Sequence, residues 1–502
     1  MDPIGYAKLY QKVGPLLPPP RQPSYVVSSV NRRVTSEGRV LFPRGVAVDD
    51  TLLGHVEFAL RHEAMDLALL EAGLAHISRE EMTRRLRQHP NGEYVRRAAY
   101  LWEWFRASPL DAGARPTAAY VPLIDPEKYM ALENPARSPQ YRILGNLLGN
   151  RNFSPMVERD SGFDGRALLA QLVEELLASI TSRGESSGDL YQRALSYIYL
   201  SETRSSFLIE REEPTSRKED AFVTLLSRAG ERKTLDEDWL VTLQHLAVRD
   251  VFSREHAFRT QQNWLERSSG RIDYFPPPAA ELRPLMEGLM QFANAAEQKM
   301  DPVAKAACVS FGFVYLHPFM DGNGRLHRFL LHHALAQSGL IPDPLVIPVS
   351  AVLSKNIDRY FGVLRSFSVP VTQLWEYHRV EDRPEIVRHP GQTPYAYWDA
   401  TREVKLTAWA LSQAVRVEVP LEVRFLIVFD ATRRLVDREF DLPSKDINVL
   451  VRSAIDQDGK LSNNRRKQFV HVPDEVLDRI EAIVAEQLAE HPPSAPYSQS
   501  LP

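Results

Sequence analysis

The sequence predicts a mainly α fold, and three observations support this. Apolar residues recur every three or four positions over long stretches such as 52–75 and 326–335, the spacing that gives a helix one buried face. Pieces with strand character are short and lie at 24–29, at 39–42 and within 258–278. A content of 44% hydrophobic and 25% charged residues in 502 is that of an ordinary globular protein, with room for about three domains.

Residues 1–160 are predicted to form an N-terminal helical domain. Its first 50 residues are rich in proline and are expected to be irregular apart from the two short strands. Helical spacing at 52–75, 78–88 and 93–105 then predicts the helices that supply the apolar core of this domain.

A core of residues 161–377 follows, with four more helices predicted in its first half. Thr234 and Glu237 have the spacing of a capping box, which predicts the start of the last of these helices. The four helices are expected at 164–182, 190–212, 219–229 and 236–248.

The C-terminal part of the chain is predicted to be a helical extension. Residues 378–393 are polar and contain prolines, which is typical of a linker. Helical patterns fill 394–490, and no pair of strands with the character of a wing is evident there. The last residues, 491–502, are rich in proline and serine and are expected to be disordered.

Composition excludes several classes of protein. A net charge of −4 gives no general attraction to nucleic acid. The single Cys308 can form neither an intrachain disulfide nor a cysteine zinc site. No apolar run approaches the ~20 residues of a membrane span, and the N-terminus lacks the basic and apolar regions of a signal peptide. We therefore expect a cytoplasmic protein without membrane or nucleic-acid partners.

The segment His317–Arg328, HPFMDGNGRLHR, carries most of the functional information. Its centre, 321–324, contains two glycines and an asparagine, which accept positive φ at little cost. Such a turn can point successive main-chain N–H groups inward as an anion-binding nest. Because a helix is predicted to begin directly after it, the amides and the dipole of that helix N-terminus would favour a phosphate.

Charged and titratable side chains surround this turn. Arg325 and Arg328 are three residues apart on one helix face, so both can reach the phosphate. Asp321 is placed to hold Mg²⁺ between phosphate oxygens. Pro318 ends the preceding apolar segment, which leaves His317 beside the turn with a reference pKa of ~6.5, suited to accept a proton from a hydroxyl. Together these groups indicate nucleotidyl or phosphoryl transfer.

The same segment resembles the HPFxDGNGRxxR signature of the Fic family at every defined position. The resemblance implies an all-helical core in which the motif joins two helices, and transfer of AMP from ATP to a Ser, Thr or Tyr hydroxyl of a target protein. It implies that His317 is the general base, that Asp321 binds Mg²⁺ and that Arg328 meets the γ-phosphate. The α- and β-phosphates would be held by Gly322, Asn323, Gly324 and Arg325.

A second resemblance lies upstream of the motif. Two short extended pieces around a turn at 268–270 are similar to the family's flap, a β-hairpin that covers the active site. In the family this hairpin pairs its main chain with the modified segment of the target, a form of β-augmentation. The resemblance implies that Asn263, Trp264 and Leu265 lie at the nucleotide site.

A third resemblance follows the motif. Segments 345–350 and 356–361 are similar to the family segment that lines the adenine end of the site. There Tyr360 would stack on or hydrogen-bond to the base, whereas an aromatic residue on a helix is more often part of the core.

A fourth resemblance concerns regulation. The segment from Ser206 to Glu210 resembles the family's inhibitory motif, [S/T]xxxE followed by Gly or Asn, although Arg211 stands at the final position here. In the family the glutamate pairs with the second motif arginine, here Arg328, and removes the cation that the γ-phosphate needs. Two alternatives are open: Glu210 is a solvated charge in the run 210–213, or it positions water to remove AMP from a target.

Three functions are therefore compared. The first is a protein adenylyltransferase restrained by Glu210, with ATP and Mg²⁺ as its small-molecule requirements. The second is removal of AMP or another phosphate-group transfer at the same site, and the third is a non-catalytic nucleotide-binding regulator. His317 favours an enzyme, because binding ATP requires no base. The expected partners are ATP and a target protein with a hydroxyl side chain, which could be the chain itself, and a homodimer is left open.

Overall fold

The computed structural model describes residues 1–492 except 47, 112, 114, 161, 182–186, 213–214, 249, 268 and 296–298. The protein is mainly helical with small sheets, which confirms the predicted fold class. Of the tail predicted at 491–502, all but the first two residues lie outside the described part. No helix in the described ranges is long and apolar enough to cross a membrane.

Helices follow one another along most of the chain. In sequence order they are α1 Tyr6–Val13, α2 Leu52–His62, α3 Leu67–Ala75, α4 Arg79–Gln88, α5 Glu93–Arg106, α6 Gly165–Thr181, α7 Ser187–Ile209, α8 Ser216–Leu226, α9 Glu237–Ala247, α10 Ala279–Asn294, α11 Pro302–Leu316, α12 Asn323–Ala336, α13 Val349–Lys355, α14 Ile357–Thr372, α15 Thr393–Ala396, α16 Thr401–Gln413, α17 Val419–Glu439, α18 Ser444–Ile455, α19 Asn463–Gln468 and α20 Asp474–Glu490.

Within the described residues the strands form four small sheets. They are β1 Asp2–Ile4, β2 Ser24–Val27, β3 Val34–Ser36, β4 Arg39–Pro43, β5 Val121–Pro122, β6 Ala136–Ser138, β7 Ile143–Gly145, β8 Leu265–Glu266, β9 Ile272–Tyr274, β10 Glu376–Val380 and β11 Arg383–Arg388. The first sheet has the order β1-β2-β4-β3 and the second has the order β5-β7-β6. The other two are the antiparallel hairpins β8–β9 and β10–β11.

The chain divides into two compact units, each built from three stretches. The first unit comprises Met1–Arg166, Arg228–Ser338 and Asp358–Thr407. The second comprises the described residues of Ala167–Ser227, Gly339–Ile357 and Ala408–Pro502. The domain boundaries expected from the sequence stay a prediction.

The first 50 residues are more ordered than the sequence predicts. The strands expected at 24–29 and 39–42 are present as β2 and β4, which pair in parallel. The expectation of otherwise irregular chain is wrong, because α1 forms and the strands β1 and β3 complete a four-stranded sheet. A half-buried glutamate supports the turn into α1, since the Oε2 of Glu63 accepts from the Tyr6 N–H at 2.7 Å.

The core of the first unit includes α11, the helix that leads directly to the motif. α11 begins with Pro302 after Asp301, whose Oδ1 accepts from the Val303 and Ala304 N–H groups at 2.9 Å. Nearly all side chains of α11 are buried, because it packs against α10 and α12. Cys308, the only cysteine, is buried there, and burial raises the pKa of its thiol. α9 also contacts α12, and its cap is Asp236 rather than the predicted Thr234.

A second hairpin occupies part of the segment that the sequence suggests is a linker. β10 and β11 pair from Glu376 to Arg388, with Arg379 opposite Pro384. Trp375, just before β10, stacks on Phe275 with ring centroids 4.8 Å apart. The hairpin is thus joined by aromatic packing to the chain that follows β9.

The second unit surrounds α7 with helices from later in the chain. The Arg193 Nη2 donates to the Asp430 Oδ1 at 2.8 Å, which joins α7 to α17. The buried Glu202 of α7 accepts from the Ser350 N–H of α13 at 2.7 Å. The apolar residues of α17, α18 and α20 share one buried cluster, so the C-terminal helices have their own core.

Candidate functional site

The site is built on the turn between α11 and α12. α11 ends at Leu316, and His317 follows in the left-handed conformation with φ 49° and ψ 59°. Its N–H still donates to the Phe313 carbonyl at 2.9 Å, which closes the last turn of the helix. Gly322, also with positive φ, precedes the first residue of α12. The predicted turn at a helix N-terminus is therefore present.

Asparagine side chains hold the main chain of this turn in place. The Asn323 Oδ1 accepts from the Phe319 N–H at 3.1 Å, and its Nδ2 donates to the Phe319 carbonyl at 2.7 Å. The same carbonyl accepts from the Asn263 Nδ2 at 3.1 Å. The amide of Asn323 is thus used within the turn, and what this residue can offer an anion is its main-chain N–H.

Gly322 is required by both conformation and space. Its φ is 87°, a region that costs a residue with a Cβ about 1–2 kcal/mol. A Cβ at this position would lie 2.7 Å from the Cγ2 of Val248. The first helical hydrogen bond of α12 runs from the Leu326 N–H to the Gly322 carbonyl at 3.0 Å. The N–H groups of Asn323 and Gly324 lie in the first turn of α12, before this hydrogen bond. Because the first turn of a helix offers such N–H groups no main-chain acceptor, they can bind an anion.

Both motif arginines are buried. Arg325 is 4% exposed, and its guanidinium donates to the Ala247 carbonyl at 2.8 Å and to the Asp321 Oδ1 at 3.3 Å. Arg328 is 2% exposed in the next turn of α12. Two cations therefore lie in the first two turns of a helix whose N-terminus already favours negative charge.

Asp321 has the character expected of a Mg²⁺ ligand. Its side chain is 51% exposed, and one oxygen, Oδ1, accepts from the Gly322 N–H at 2.6 Å. Mg²⁺ in nucleotide sites is usually held by one or two carboxylates, water and substrate phosphates, so one exposed carboxylate beside the turn fits that ion. Among the described residues, no group of three or more His, Cys, Asp or Glu side chains is arranged to bind a metal.

His317 has the tautomer that a general base needs. Its Nδ1 lies 3.2 Å from the Val314 carbonyl oxygen, and a carbonyl can only accept, so Nδ1 carries the proton. In the neutral ring Nε2 then carries the lone pair. Burial lowers the pKa of His317 to about 4, opposed by the Val314 hydrogen bond and assisted by the charge of Arg259. The imidazole is consequently neutral near pH 7.

The flap predicted from the sequence is the hairpin β8–β9. Leu265 pairs with Tyr274, and the Arg267 N–H donates to the Arg271 carbonyl at 3.0 Å across the turn. Leu265 is 41% exposed, whereas Asn263 is buried. The Trp264 Nε1 donates to the Glu266 Oε2 at 3.0 Å, which orients the indole along the hairpin.

The flap is braced by the hairpin β10–β11. The Glu266 carboxylate of β8 accepts from the Arg379 Nη2 of β10 at 2.6 Å. Ile272 and Phe275 share a buried cluster with Trp375, on which Tyr377 and Ile386 also pack. These contacts attach one face of the flap to the rest of the first unit.

Tyr360 lies in the core of the first unit. It is 2% exposed in α14, and its ring stacks on His327 with centroids 6.1 Å apart and an interplanar angle of 17°. Phe311 of α11 lies 6.4 Å away. The structure thus packs Tyr360 against α12, the helix that carries both motif arginines.

Ser206 and Glu210 lie at the C-terminal end of α7, in the second unit. Ser206 is buried, and the Glu210 N–H donates to the Phe207 carbonyl at 3.0 Å just beyond the helix. Arg211 has a φ of 58°, and the Glu212 N–H returns to the Phe207 carbonyl. This is a left-handed helix end, which glycine and asparagine adopt most easily. Arg211 adopts this conformation although its Cβ makes it less favourable than for glycine.

Two supports of the site could not be recognised in the sequence. The C-terminal end of α9 provides the Ala247 carbonyl to Arg325 and the side chain of Val248 to Gly322. Arg259, before the flap, donates to the carbonyl of His317 at 2.9 Å. These contacts use main-chain carbonyls and a methyl group, for which a sequence contains no signal.

Comparison with known proteins agrees with the resemblance seen in the motif. Residues 234–335 match the model of the Fic/DOC family, a span that runs from just before α9 nearly to the end of α12. The protein adenylyltransferase Fic of Drosophila ananassae is 36% identical over 76 residues, and that of Drosophila mojavensis is 34% identical over 76 residues. Each match covers 15% of this chain and 15% of the relative.

Two solved structures also resemble the chain. A Fic family protein from Desulfovibrio desulfuricans G20 has a TM-score of 0.35 at 18% identity, and the match covers 61% of this chain and 84% of that protein. A Fic domain containing signaling protein from Bacteroides thetaiotaomicron VPI-5482 has a TM-score of 0.36 at 17% identity, with 51% and 96% covered.

Proposed function

Because residues 234–335 form a Fic/DOC domain, we propose that this chain transfers AMP from ATP to a hydroxyl side chain (Ser, Thr or Tyr) of a protein. The observation that carries the proposal is that His317 directly precedes the turn that leads into α12. The imidazole has a lone pair on Nε2, and the turn presents main-chain N–H groups to an anion. The adenylyltransferases named among the relatives support the same chemistry.

In the proposed reaction the triphosphate lies against the first turn of α12. The target hydroxyl oxygen forms a bond to the α-phosphorus, and the bond from that phosphorus to the oxygen bridging to the β-phosphate breaks. The hydroxyl proton moves to the Nε2 of His317, and pyrophosphate leaves with the bond electrons. The products are an AMP ester of the target and pyrophosphate, so atoms and charge balance.

The motif side chains would neutralise the phosphates. In this proposal the N–H groups of Asn323 and Gly324 face the α- and β-phosphates, since the Gly322 N–H already donates to the Asp321 Oδ1. Arg325 and Arg328 supply positive charge along the chain of phosphates. Asp321 would hold Mg²⁺, which when bound offsets negative charge on the phosphate oxygens. Arg325 already has two acceptors, so its role is to keep a fixed charge near the anion.

The flap would hold the target. Leu265 and Glu266 of β8 are exposed, and an extended segment can add to the open edge of such a hairpin. In this proposal Asn263 and Trp264, which directly precede β8, would lie where that segment approaches the nucleotide. The proposed target is a protein that can present a hydroxyl residue in extended conformation, and a copy of this chain is one candidate.

We further propose that Glu210 restrains the activity by pairing with Arg328. The support is the match to the inhibitory motif, with Ser206 buried and Glu210 at the left-handed end of α7. A carboxylate on that arginine would deprive the γ-phosphate of its cation. Glu210→Gly should then raise self-modification. Arg211→Gly is the matched control, since it alters the same helix end but keeps the carboxylate, and it should leave the rate unchanged.

The decisive experiment compares two labels. Protein incubated with Mg²⁺ and ATP labelled at the α-phosphate should acquire label, and ATP labelled at the γ-phosphate should give none. His317→Ala should lower the rate by about 10²–10⁴-fold while ATP affinity in calorimetry changes little, because a base is lost and the phosphate contacts remain. His378→Ala, on the exposed β10, is the control and should behave as the unaltered protein.

Other outcomes would identify the alternatives. Label transferred from the γ-phosphate would indicate a kinase, and release of AMP from a modified target would indicate removal. ATP binding without any transfer, even in the Glu210→Gly protein, would favour a nucleotide-binding regulator and contradict the proposal.

A further inference from the structure

Arg259 is a buried cation at the base of the flap. It lies between α9 and β8 and is 5% exposed. Its guanidinium donates to three main-chain carbonyls: Nε to His317 at 2.9 Å, Nη1 to Gln261 at 3.1 Å and Nη2 to Pro277 at 2.7 Å. Its own N–H donates to the Pro318 carbonyl at 2.8 Å. Each of the three nitrogens of the guanidinium thus donates to a main-chain carbonyl group.

The identity of these carbonyls suggests a role beyond stability. Gln261 precedes β8 and Pro277 follows β9, so both ends of the flap hairpin contact the same guanidinium. The third acceptor belongs to His317, the proposed base. One planar, five-donor group therefore connects the two ends of the proposed target-binding element to the residue that takes the proton.

Burying a cation is costly, and three carbonyl dipoles offset that cost only in this arrangement. Burial lowers the pKa of Arg259 to about 10, which still leaves it charged near pH 7. If the flap moves away from the motif turn, at least one donor loses its acceptor in a buried position. The guanidinium therefore opposes changes in the separation between flap and turn.

We propose that Arg259 is a positioning residue, which fixes the flap at a set distance from His317 so that a hydroxyl held by the flap reaches the imidazole. This inference rests on the proposed AMP transfer. It gives the flap a geometric requirement, because a displacement of about 1 Å between reacting groups can lower a rate by about 10²-fold.

Neighbouring contacts are arranged to the same effect. The Tyr274 hydroxyl of β9 donates to the Tyr315 carbonyl at 2.6 Å, close to the end of α11. The Asn263 Nδ2 donates to the Phe319 carbonyl in the turn. Both leave from the flap region and end on the main chain of the motif segment, while Arg259 contacts the carbonyl of His317 itself.

The test compares two substitutions of Arg259 with two controls. Arg259→Lys keeps the charge but cannot reach three carbonyls in one plane, and Arg259→Met removes both charge and donors. Arg283→Lys is the matched control, because Arg283 is exposed and pairs with Glu237. Leu101→Ala, in the buried core of α5, controls for loss of stability.

The readouts are self-modification with α-labelled ATP at saturating concentration and ATP affinity by calorimetry. We expect the rate to fall about 10²-fold in Arg259→Met and by less in Arg259→Lys, while the ATP dissociation constant stays within about threefold in both. Arg283→Lys should match the unaltered protein. Leu101→Ala should lower the unfolding midpoint as much as Arg259→Met with little change in rate.

Hydrogen exchange separates this inference from the proposed function, because it requires no transfer. In Arg259→Met, main-chain N–H groups of the flap and of the motif turn should exchange faster together, and those of α5 should not. Unchanged exchange in the flap, or a rate that falls only in proportion to stability, would overturn the positioning role. Absence of any AMP transfer by the unaltered protein would instead reject the proposed function, and the exchange result would still decide the placement of the flap.

Discussion

The substitution Gly322→Ala should destabilise the turn between α11 and α12 more than backbone conformation alone requires. At a φ of 87° an alanine costs about 1–2 kcal/mol. Its Cβ would also meet the Val248 Cγ2 at 2.7 Å, closer than carbon atoms pack, and relief of such a clash costs about 1–3 kcal/mol. The total cost of Gly322→Ala is about 2–5 kcal/mol. Each 1.4 kcal/mol of this cost that must be overcome when ATP binds weakens ATP affinity about tenfold.

Gly339 provides a matched comparison for this substitution. It has a φ of 72°, but a Cβ there would meet nothing within 4 Å. Gly339→Ala should therefore show the conformational cost of about 1–2 kcal/mol without the clash. The double substitution Gly322→Ala with Val248→Ala removes the opposing methyl group and should recover part of the ATP affinity.

Urea unfolding of the four proteins measures the stability differences, and calorimetry measures the affinity for ATP. The reasoning is refuted if Gly322→Ala is no more destabilising than Gly339→Ala, or if it binds ATP as tightly as the unaltered protein. Either result would mean that the turn can take up a Cβ without moving against Val248.

Two further predictions concern titratable groups in the first unit. Nitrogen NMR of the imidazoles should show that His317 carries its proton on Nδ1 and stays neutral down to about pH 4 in the nucleotide-free protein. A titration midpoint of His317 near pH 6.5, or a proton on Nε2, would contradict the geometry. Glu403 is 1% exposed and accepts from the Tyr315 hydroxyl at 2.7 Å. Burial raises the pKa of this carboxyl to about 8. Its contribution to the free energy of unfolding is therefore present below about pH 4 and is lost as the pH rises to 8. Glu403→Gln should escape this loss, with a relative gain of roughly 3 kcal/mol at pH 7, and parallel stability curves for the two proteins between pH 4 and 8 would refute it.

The sequence predicts the motif turn well because its determinants are local. Two glycines and an asparagine before a helical repeat specify positive φ and a helix start within a few residues, and the structure has both at Gly322 and Asn323. The hairpin β8–β9 is predictable for the same reason, since its strands are adjacent and joined by a short turn.

Elements that depend on distant partners are harder to predict. The sequence does not predict β1, whose partner β2 lies beyond α1 in the chain, or α1, which is only eight residues long. β10–β11 is exposed on most of its residues, and its polar sequence gives no alternating apolar face. The hairpin is attached instead through Trp375 and Tyr377, which pack on Phe275.

The roles of the site residues divide in the same way. Residue types in the motif indicate the base, the carboxylate and the cations, because their chemistry is carried by the side chains themselves. Arg259 and Val248 act through a main-chain carbonyl and a methyl contact, which depend on tertiary packing. The sequence also shows Arg211 at a position where the family pattern has Gly or Asn. Its φ of 58° is less favourable for a residue with a Cβ than for glycine.

The burial of Cys308 makes this protein unusually convenient for spectroscopy. The thiol of Cys308 on α11 is buried and its pKa is raised. The unaltered protein should therefore react only slowly with maleimides and iodoacetamides. A second cysteine introduced by Leu265→Cys, at an exposed position of β8, would then be the preferred point of attachment for a fluorophore or spin label. Movements of that hairpin could be followed in real time against almost no background, without first removing a native residue.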